Sequence, residues 1–136
     1  MPLVYRAMTC EGDQPKLGPS ARTLGVRPDI DITLDEKGFV QPRTGGMSVA
    51  PSWRDLPPHR IPLRLRPIAC DACGSDLDAC WRMGSGAFVD SSLNESLNLR
   101  SDQSDHGLVE PSRTMGMTEF QSALAATRDQ WEIDEA

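Results

Sequence analysis

The sequence predicts a mixed α+β fold in which several short strands precede one C-terminal helix. Eleven glycines and eleven prolines in 136 residues imply frequent turns, so most elements should be short. Short stretches with alternating apolar and polar residues recur through the first 110 positions, which is typical of strands. Helical spacing of apolar residues appears only near the C-terminus. The length suits a single domain, expected to span residues 1–136.

The N-terminal third is expected to contain one strand and a small hairpin. Residues 3–8 form a short apolar run and predict the first strand, whereas the glycines and prolines of residues 9–28 predict a loop. Residues 30–34 alternate cleanly and predict a second strand. After a turn at residues 35–38, residues 39–41 are expected to complete the hairpin.

The central region predicts strands separated by irregular segments. Residues 46–50 carry the third strand signal, and five prolines between positions 51 and 67 exclude an ordinary helix. Within that segment, residues 61–66 are expected to be extended or an edge strand. Residues 69–80 predict an acidic surface loop that bears cysteines, and residues 79–83 and 87–89 are short strand candidates. Residues 97–100 and 106–110 are expected to pair across a polar turn.

The C-terminal segment is the only part with clear helical spacing. Phe120, Leu124 and Trp131 recur at intervals that place them on one helical face. Thr118 followed by Gln121 fits a capping box, with Thr118 as the N-cap. A helix over residues 119–131 is therefore predicted.

The charge distribution excludes some classes of function. The net charge is −6, yet residues 1–68 carry ten Lys/Arg against seven Asp/Glu, and residues 69–136 carry four against thirteen. An acidic total argues against general nucleic-acid binding. The basic half could hold one small anionic ligand, or the two halves could simply attract each other. With no long apolar run and Arg6 interrupting the N-terminal segment, neither a membrane span nor a signal peptide is predicted, and a cytoplasmic protein is expected.

Two familiar site types are weakly represented. Cys70 and Cys73 form a C-x-x-C, but a zinc site needs four ligands, so Cys10, His59 or His106 would have to join them. The cysteines are therefore interpreted as loop residues, and no metal is predicted. A serine hydrolase built on Ser48 with His59 or His106 would lack the second glycine of the G-x-S-x-G turn.

A third constellation combines Arg6 on the first strand with Ser48, which follows the glycine pair Gly45-Gly46. Alternation along residues 46–50 directs Ser48 away from its apolar neighbours. Cleavage of the nicotinamide–ribose bond of NAD needs an arginine for phosphate, a hydroxyl near the ribose and a carboxylate for the developing positive charge. Taken singly, Arg6 also fits a solvated strand residue and Ser48 a hydroxyl beside a turn.

Three stretches together resemble a known family. They are Val4-Tyr5-Arg6-Ala7, Thr44-Gly45-Gly46-Met47-Ser48-Val49, and the region from His106 through Pro111 and Met115 to Arg128-Asp129-Gln130-Trp131-Glu132. This pattern resembles the small cytoplasmic toxins with an ADP-ribosyltransferase-like fold that bacteria export by type VI secretion. Met47 stands where the family can have threonine, and no E-x-E pattern occurs on a late strand.

The resemblance implies a fold, an activity and partners. The fold would be an ADP-ribosyltransferase-like split antiparallel sheet with few short helices. The activity would be transfer of ADP-ribose from NAD to an intracellular macromolecule after secretion into a target cell, with an immunity protein protecting the producer. Ser48, His106 and Glu110 would be catalytic, and Arg6, Tyr5, Gly46 and Met47 would bind NAD. The alternative is a non-enzymatic module that binds a basic partner through its acidic C-terminal half.

Overall fold

A computed structural model describes the whole chain, residues 1–136. It contains ten strands, one α-helix and three short 3-10 helices. The strands are β1 (Val4–Glu11), β2 (Gln14–Pro15), β3 (Phe39–Val40), β4 (Met47–Val49), β5 (Asp78–Met83), β6 (Ser91–Ser92), β7 (Leu97–Gln103), β8 (His106–Pro111), β9 (Met115–Gly116) and β10 (Glu132–Ile133). The helix is α1 (Met117–Ala125), and the 3-10 helices span Trp53–Asp55, Leu63–Leu65 and Arg128–Gln130. The predicted α+β class is therefore confirmed.

The strands form two four-stranded sheets and one two-stranded sheet. The first sheet has the order β10-β5-β1-β2, the second has the order β4-β8-β7-β6, and β3 pairs with β9. Every strand pairing is antiparallel. Tyr5 and Ala50 exchange backbone hydrogen bonds of 2.8 and 2.9 Å, which places the end of β4 beside β1. The two larger sheets thus meet next to Arg6 and Ser48.

Two apolar clusters fill the interior. The larger one includes Trp81, Phe120 and Trp131 and packs α1 against both large sheets. The smaller one contains Trp53, Ile61 and buried neighbours from β1 and β5. The only regular structure in the proline-rich segment 51–62 is the 3-10 helix Trp53–Asp55, so these buried side chains are what hold the segment in place. None of the helices is long and apolar enough to span a membrane.

The first strand, the β4 strand and the β7–β8 hairpin are confirmed, but the hairpin predicted over residues 30–41 is wrong. Residues 29–31 form a turn, in which Asp31 accepts a 2.7 Å hydrogen bond from the Arg27 backbone N–H, and Ile32 makes only isolated bridges, to Pro28 and Gly45. In a strand, Ile30 and Ile32 would lie on the same face, but Ile30 is 71 % exposed while Ile32 is buried. The alternating sequence pattern therefore does not correspond to a strand here. β3 pairs with β9 instead, over 70 residues away in the chain.

Two other strand predictions and one loop prediction also need correction. Residues 61–66 contain the 3-10 helix Leu63–Leu65, and residues 87–89 form no strand. The predicted 69–80 loop ends early, because β5 begins at Asp78 and carries Cys80 into the core. Short apolar runs next to proline or glycine thus fold as turns here when no neighbouring strand offers backbone partners.

The C-terminal helix is real but shorter than predicted. Its N-cap is Gly116 and not Thr118 as predicted, so no side chain caps it. Gln121, the other residue of the predicted capping box, instead hydrogen-bonds the backbone N–H and carbonyl of Val26 at 3.1 and 2.6 Å. The helix ends at Ala125, where the Thr127 hydroxyl donates to the Leu124 carbonyl at 2.7 Å and accepts from the Trp131 indole N–H at 2.9 Å. Trp131 is therefore buried by this turn and not by continued helix.

Candidate functional site

A cleft of about 210 Å³ opens where the two large sheets meet. Its walls come from β1, β4, the start of β8, the loop at residues 21–31 and the segment at residues 55–60. The polar and charged side chains that line it are Arg6, Arg27, Asp31, Ser48, Asp55, His59, Arg60 and His106. The fold therefore brings Arg6, Ser48 and His106 to a single cleft from positions far apart in the sequence.

Arg6 lies at the inner wall of this cleft and is almost completely buried, with 6 % of its surface exposed. Its Nε donates to the Thr23 carbonyl at 3.1 Å, and its Nη1 donates to the Ser48 carbonyl at 2.9 Å. Its Nη2 donates to the carbonyls of Ser20, Thr23 and Gly25 at 3.2, 3.0 and 3.4 Å. Burial lowers the pKa of Arg6 to about 10, so it stays charged at neutral pH. Most of its donors are thus used to hold the cleft walls together.

Ser48 presents its hydroxyl to the cleft because β4 alternates. Met47 and Val49 point into the core, each with 1 % of its surface exposed, and Ser48 between them is exposed. The Ser48 hydroxyl makes no hydrogen bond within the protein, so it is free for a ligand. Ser48 is paired with Leu108 on β8, which puts His106 at the diagonal position on the same face of the sheet.

His106 begins β8 and is oriented by the turn before it. Its Nδ1 lies 2.7 Å from the Asp102 carboxylate. An ionised carboxylate only accepts hydrogen bonds, so Nδ1 is the donor and carries the proton. In the neutral tautomer with this proton on Nδ1, Nε2 is the hydrogen-bond or proton acceptor.

The cleft carries an excess of positive charge. Arg27 and Asp31 form an ion pair at 2.8 Å. Burial raises the pKa of Asp31, but the hydrogen bonds from Arg27 outweigh it and hold that pKa below its usual value. The guanidinium of Arg60 makes no ion pair or hydrogen bond within the protein, and neither does the carboxylate of Asp55. Three arginines face two aspartates, which leaves one uncompensated positive charge with both histidines neutral.

The other residues predicted for the site lie elsewhere. Tyr5 donates a 2.8 Å hydrogen bond to Asp134, next to β10, and Met47 is in the core. Glu110 is buried and lines a separate cleft, where one of its oxygens accepts from Arg100 Nε at 3.1 Å. It lies four positions from His106, about 13 Å along a strand. Glu110 and His106 therefore do not share a site.

Backbone conformation and close packing explain why glycines occupy positions 45 and 46. Gly45 has a φ of +125°, a backbone conformation that residues with a side chain rarely adopt. A Cβ atom at this position would also collide with the Asp31 carbonyl. At Gly46, a Cβ atom would collide with the Val109 carbonyl of β8. Both glycines therefore allow the start of β4 to pack closely against neighbouring backbone. Ser48, and not the glycines, faces the cleft.

The cysteines do not form a metal site. Cys10, Cys70 and Cys73 are exposed, whereas Cys80 is buried on β5. No group of three or more His, Cys, Asp or Glu side chains is arranged to hold a metal ion. Burial raises the pKa of the Cys80 thiol to about 12, so it stays protonated at neutral pH.

Sequence reasoning missed two side chains with free functional groups in the cleft. Arg60 and Asp55 belong to the irregular segment after β4, where no periodicity predicts which way a side chain points. The only available signal was the run of arginines from Arg43 to Arg66, which marks positive charge near Ser48 without selecting one residue.

Comparison with protein-family models, with curated proteins and with solved structures finds no match for this chain. The cleft and its chemistry are therefore the basis for proposing a function.

Proposed function

We propose that this protein is a toxin that uses NAD to ADP-ribosylate a molecule inside a target cell, on an ADP-ribosyltransferase-like split sheet. One observation carries the proposal: Arg6, Ser48 and His106, which the resemblance selects, line one cationic cleft. The secretion route, the cytoplasmic site of action and an immunity protein follow from the resemblance and are part of the same proposal.

The cleft suits part of a dinucleotide. Ligand sites usually enclose about 300–1,000 Å³, and this cleft encloses about 210 Å³. It therefore fits the nicotinamide ribose half of NAD, with the rest of the molecule outside. Arg60 is the side chain with unpaired donors for a phosphate, because the donors of Arg6 are largely taken by carbonyls.

The transfer reaction assigns roles to three side chains. The bond between nicotinamide and ribose breaks, nicotinamide leaves with the electron pair, and the sugar develops positive charge. Asp55 is the unpaired carboxylate of the cleft and would stabilise that charge. Ser48 would hold a ribose hydroxyl. His106 Nε2 would take the proton of the acceptor group that attacks the sugar.

The test measures nicotinamide release and growth arrest for the wild type and three variants. Ser48→Ala, Asp55→Asn and His106→Ala are each expected to lower nicotinamide release about 100-fold. Ser85→Ala and Asp71→Asn are matched controls, because both residues are exposed and make no side-chain hydrogen bond. Wild-type turnover in all three variants, with folding intact, would refute the site. Co-expression of a candidate immunity protein should restore growth.

A serine hydrolase is the second candidate, favoured by the pairing of Asp102 with His106 on the face that carries Ser48. Such enzymes need a base that is itself oriented by an acid. The Ser48 hydroxyl, however, makes no hydrogen bond to His106. Covalent labelling of Ser48 by a fluorophosphonate would support the hydrolase, and its absence together with nicotinamide release would favour ADP-ribosyl transfer.

A further inference from the structure

A second polar cleft of about 420 Å³ lies on the outer face of the sheet formed by β6, β7 and β8. Its wall includes Arg43 from the loop before β4, Arg100 and Asn98 from β7, and Glu110 from β8. Ser91 and Ser92 of β6 complete it. It is separate from the cleft of Ser48, and none of the roles proposed there uses its arginines.

Glu110 organises this second cleft. It is 6 % exposed, and a single oxygen, Oε2, accepts from the Arg100 Nε at 3.1 Å and from the Arg43 backbone N–H at 2.9 Å. A buried carboxylate needs such partners. Because Arg100 is bound through Nε alone, both of its Nη groups are left without a partner in the protein.

Arg43 is held in an unusual conformation. Its φ is +68°, in the left-handed region that non-glycine residues seldom occupy. Such strain persists where the surroundings enforce it, and often at binding sites. In this conformation the Arg43 N–H donates to Glu110, and Arg43 lines the cleft with a guanidinium that forms no ion pair.

We propose that the cleft of Arg43 and Arg100 binds the phosphate group of a small hydroxylated molecule. Two guanidinium groups with free donors are suited to an oxyanion, since each forms short charge-assisted hydrogen bonds. Asn98 and the two serines supply polar groups for the hydroxyls of the attached molecule.

The charges of the cleft set the expected strength of binding. Glu110 and Asp90 balance the two arginines, and one Asp90 oxygen already accepts the Ser101 N–H at 2.7 Å. Long-range attraction is therefore small, and affinity comes from direct hydrogen bonds to the guanidinium groups. A phosphate monoester of a polyol is expected to bind more tightly than inorganic phosphate, because it also reaches the serine and asparagine wall.

The test is an NMR titration of the full chain with inorganic phosphate and then glycerol phosphate, at constant ionic strength. We expect saturable shifts of the backbone amides of Arg43, Ser91 and Arg100. Arg43→Gln and Arg100→Gln should each weaken binding about tenfold, the effect of one charge-assisted hydrogen bond. Arg113→Gln is the control, because Arg113 is exposed and its one ion pair is with Glu119 at the surface.

Several outcomes would overturn the proposal. The first is that phosphate shifts no cleft amide, or shifts them equally in the Arg43→Gln/Arg100→Gln double variant. Shifts confined to Arg60 and His59 would place the phosphate site in the first cleft instead. Equal shifts with acetate would show a general carboxylate site. If Arg100→Gln fails to fold, the exposed Arg43→Gln alone decides. None of these readouts depends on NAD turnover, so this proposal and the proposed function can fail separately.

Discussion

The guanidinium of Arg6 donates a 2.9 Å hydrogen bond to the backbone carbonyl of Ser48, across 42 positions of the chain. This bond joins β1 to β4 at the point where the two large sheets meet. The same guanidinium also binds the carbonyls of Ser20, Thr23 and Gly25. Arg6 therefore shapes the cleft in which the Ser48 hydroxyl is displayed.

Replacing Arg6 should affect stability before it affects ligand binding. Arg6→Ala would remove the guanidinium donor from four carbonyls, and its bonds to those of Thr23 and Gly25 are buried, so we expect a loss of about 3 kcal/mol in the free energy of unfolding. Urea denaturation followed by tryptophan fluorescence measures this. A loss below about 0.5 kcal/mol would show that water replaces the guanidinium and that the network is not structural.

The glycine pair should tolerate substitution poorly for reasons of packing. In Gly46→Ala, the new methyl group would meet the Val109 carbonyl, so β4 and β8 must separate, at a cost of about 2 kcal/mol. Thermal unfolding of this variant can be compared with Gly116→Ala, because nothing lies within 4 Å of a Cβ at Gly116. Equal melting temperatures for the two variants would contradict this account.

Arg60 should contribute to ligand affinity without contributing to stability. Its guanidinium has no partner in the protein, so Arg60→Gln should remove the phosphate contact proposed for Arg60 and leave the fold unchanged. We expect the Kd for NAD to rise about tenfold, measured by calorimetry. Arg113→Gln serves again as the control, and a Kd that rises as much in that variant would indicate a nonspecific charge effect.

The hydrogen bond from Tyr5 to Asp134 should make stability depend on pH at both ends of the range. Burial and this bond raise the pKa of Tyr5 to about 12, and the same bond lowers the pKa of Asp134. Tyr5→Phe should cost about 1 kcal/mol at pH 7, a modest value because the pair is partly exposed.

The sign follows from the two pKa shifts. The contribution of Asp134 is present above its unfolded pKa and is lost as pH falls through its lower folded pKa. The contribution of Tyr5 is present below its unfolded pKa and is lost as pH rises toward about 12. The stability difference between wild type and Tyr5→Phe, measured by urea denaturation, should therefore shrink below pH 4 and above pH 10. A difference that does not change with pH would contradict the hydrogen bond.

The four cysteines should divide into two classes by reactivity. Cys10, Cys70 and Cys73 are exposed, whereas Cys80 is buried with a pKa raised to about 12, and the thiolate is the reactive form. Iodoacetamide at pH 8 should modify up to three cysteines in the native protein and Cys80 only after unfolding. Mass spectrometry of peptides reads this directly, and early modification of Cys80 would show that β5 opens readily.

Local sequence patterns predicted secondary structure correctly where the structure depends on residues close together in the chain. The β7–β8 hairpin, the β4 alternation and the buried face of α1 at Phe120 and Leu124 all follow from the sequence, because turn chemistry and side-chain period act over a few residues. The same patterns misled at residues 30–34, where the Arg27–Asp31 pair makes a turn, and at Gln121, whose side chain is taken by the backbone of Val26.

The sequence by itself determined the α+β class, the short strands and the outward direction of Ser48. Only the tertiary structure decided that Arg6, Ser48 and His106 share a cleft, that Arg60 and Asp55 join them, and that Glu110 lies in another. The physical reason is that these groupings depend on contacts between segments 40 to 100 residues apart. Such contacts are set by how the two sheets pack and by the buried hydrogen bonds of Arg6, which no local period encodes.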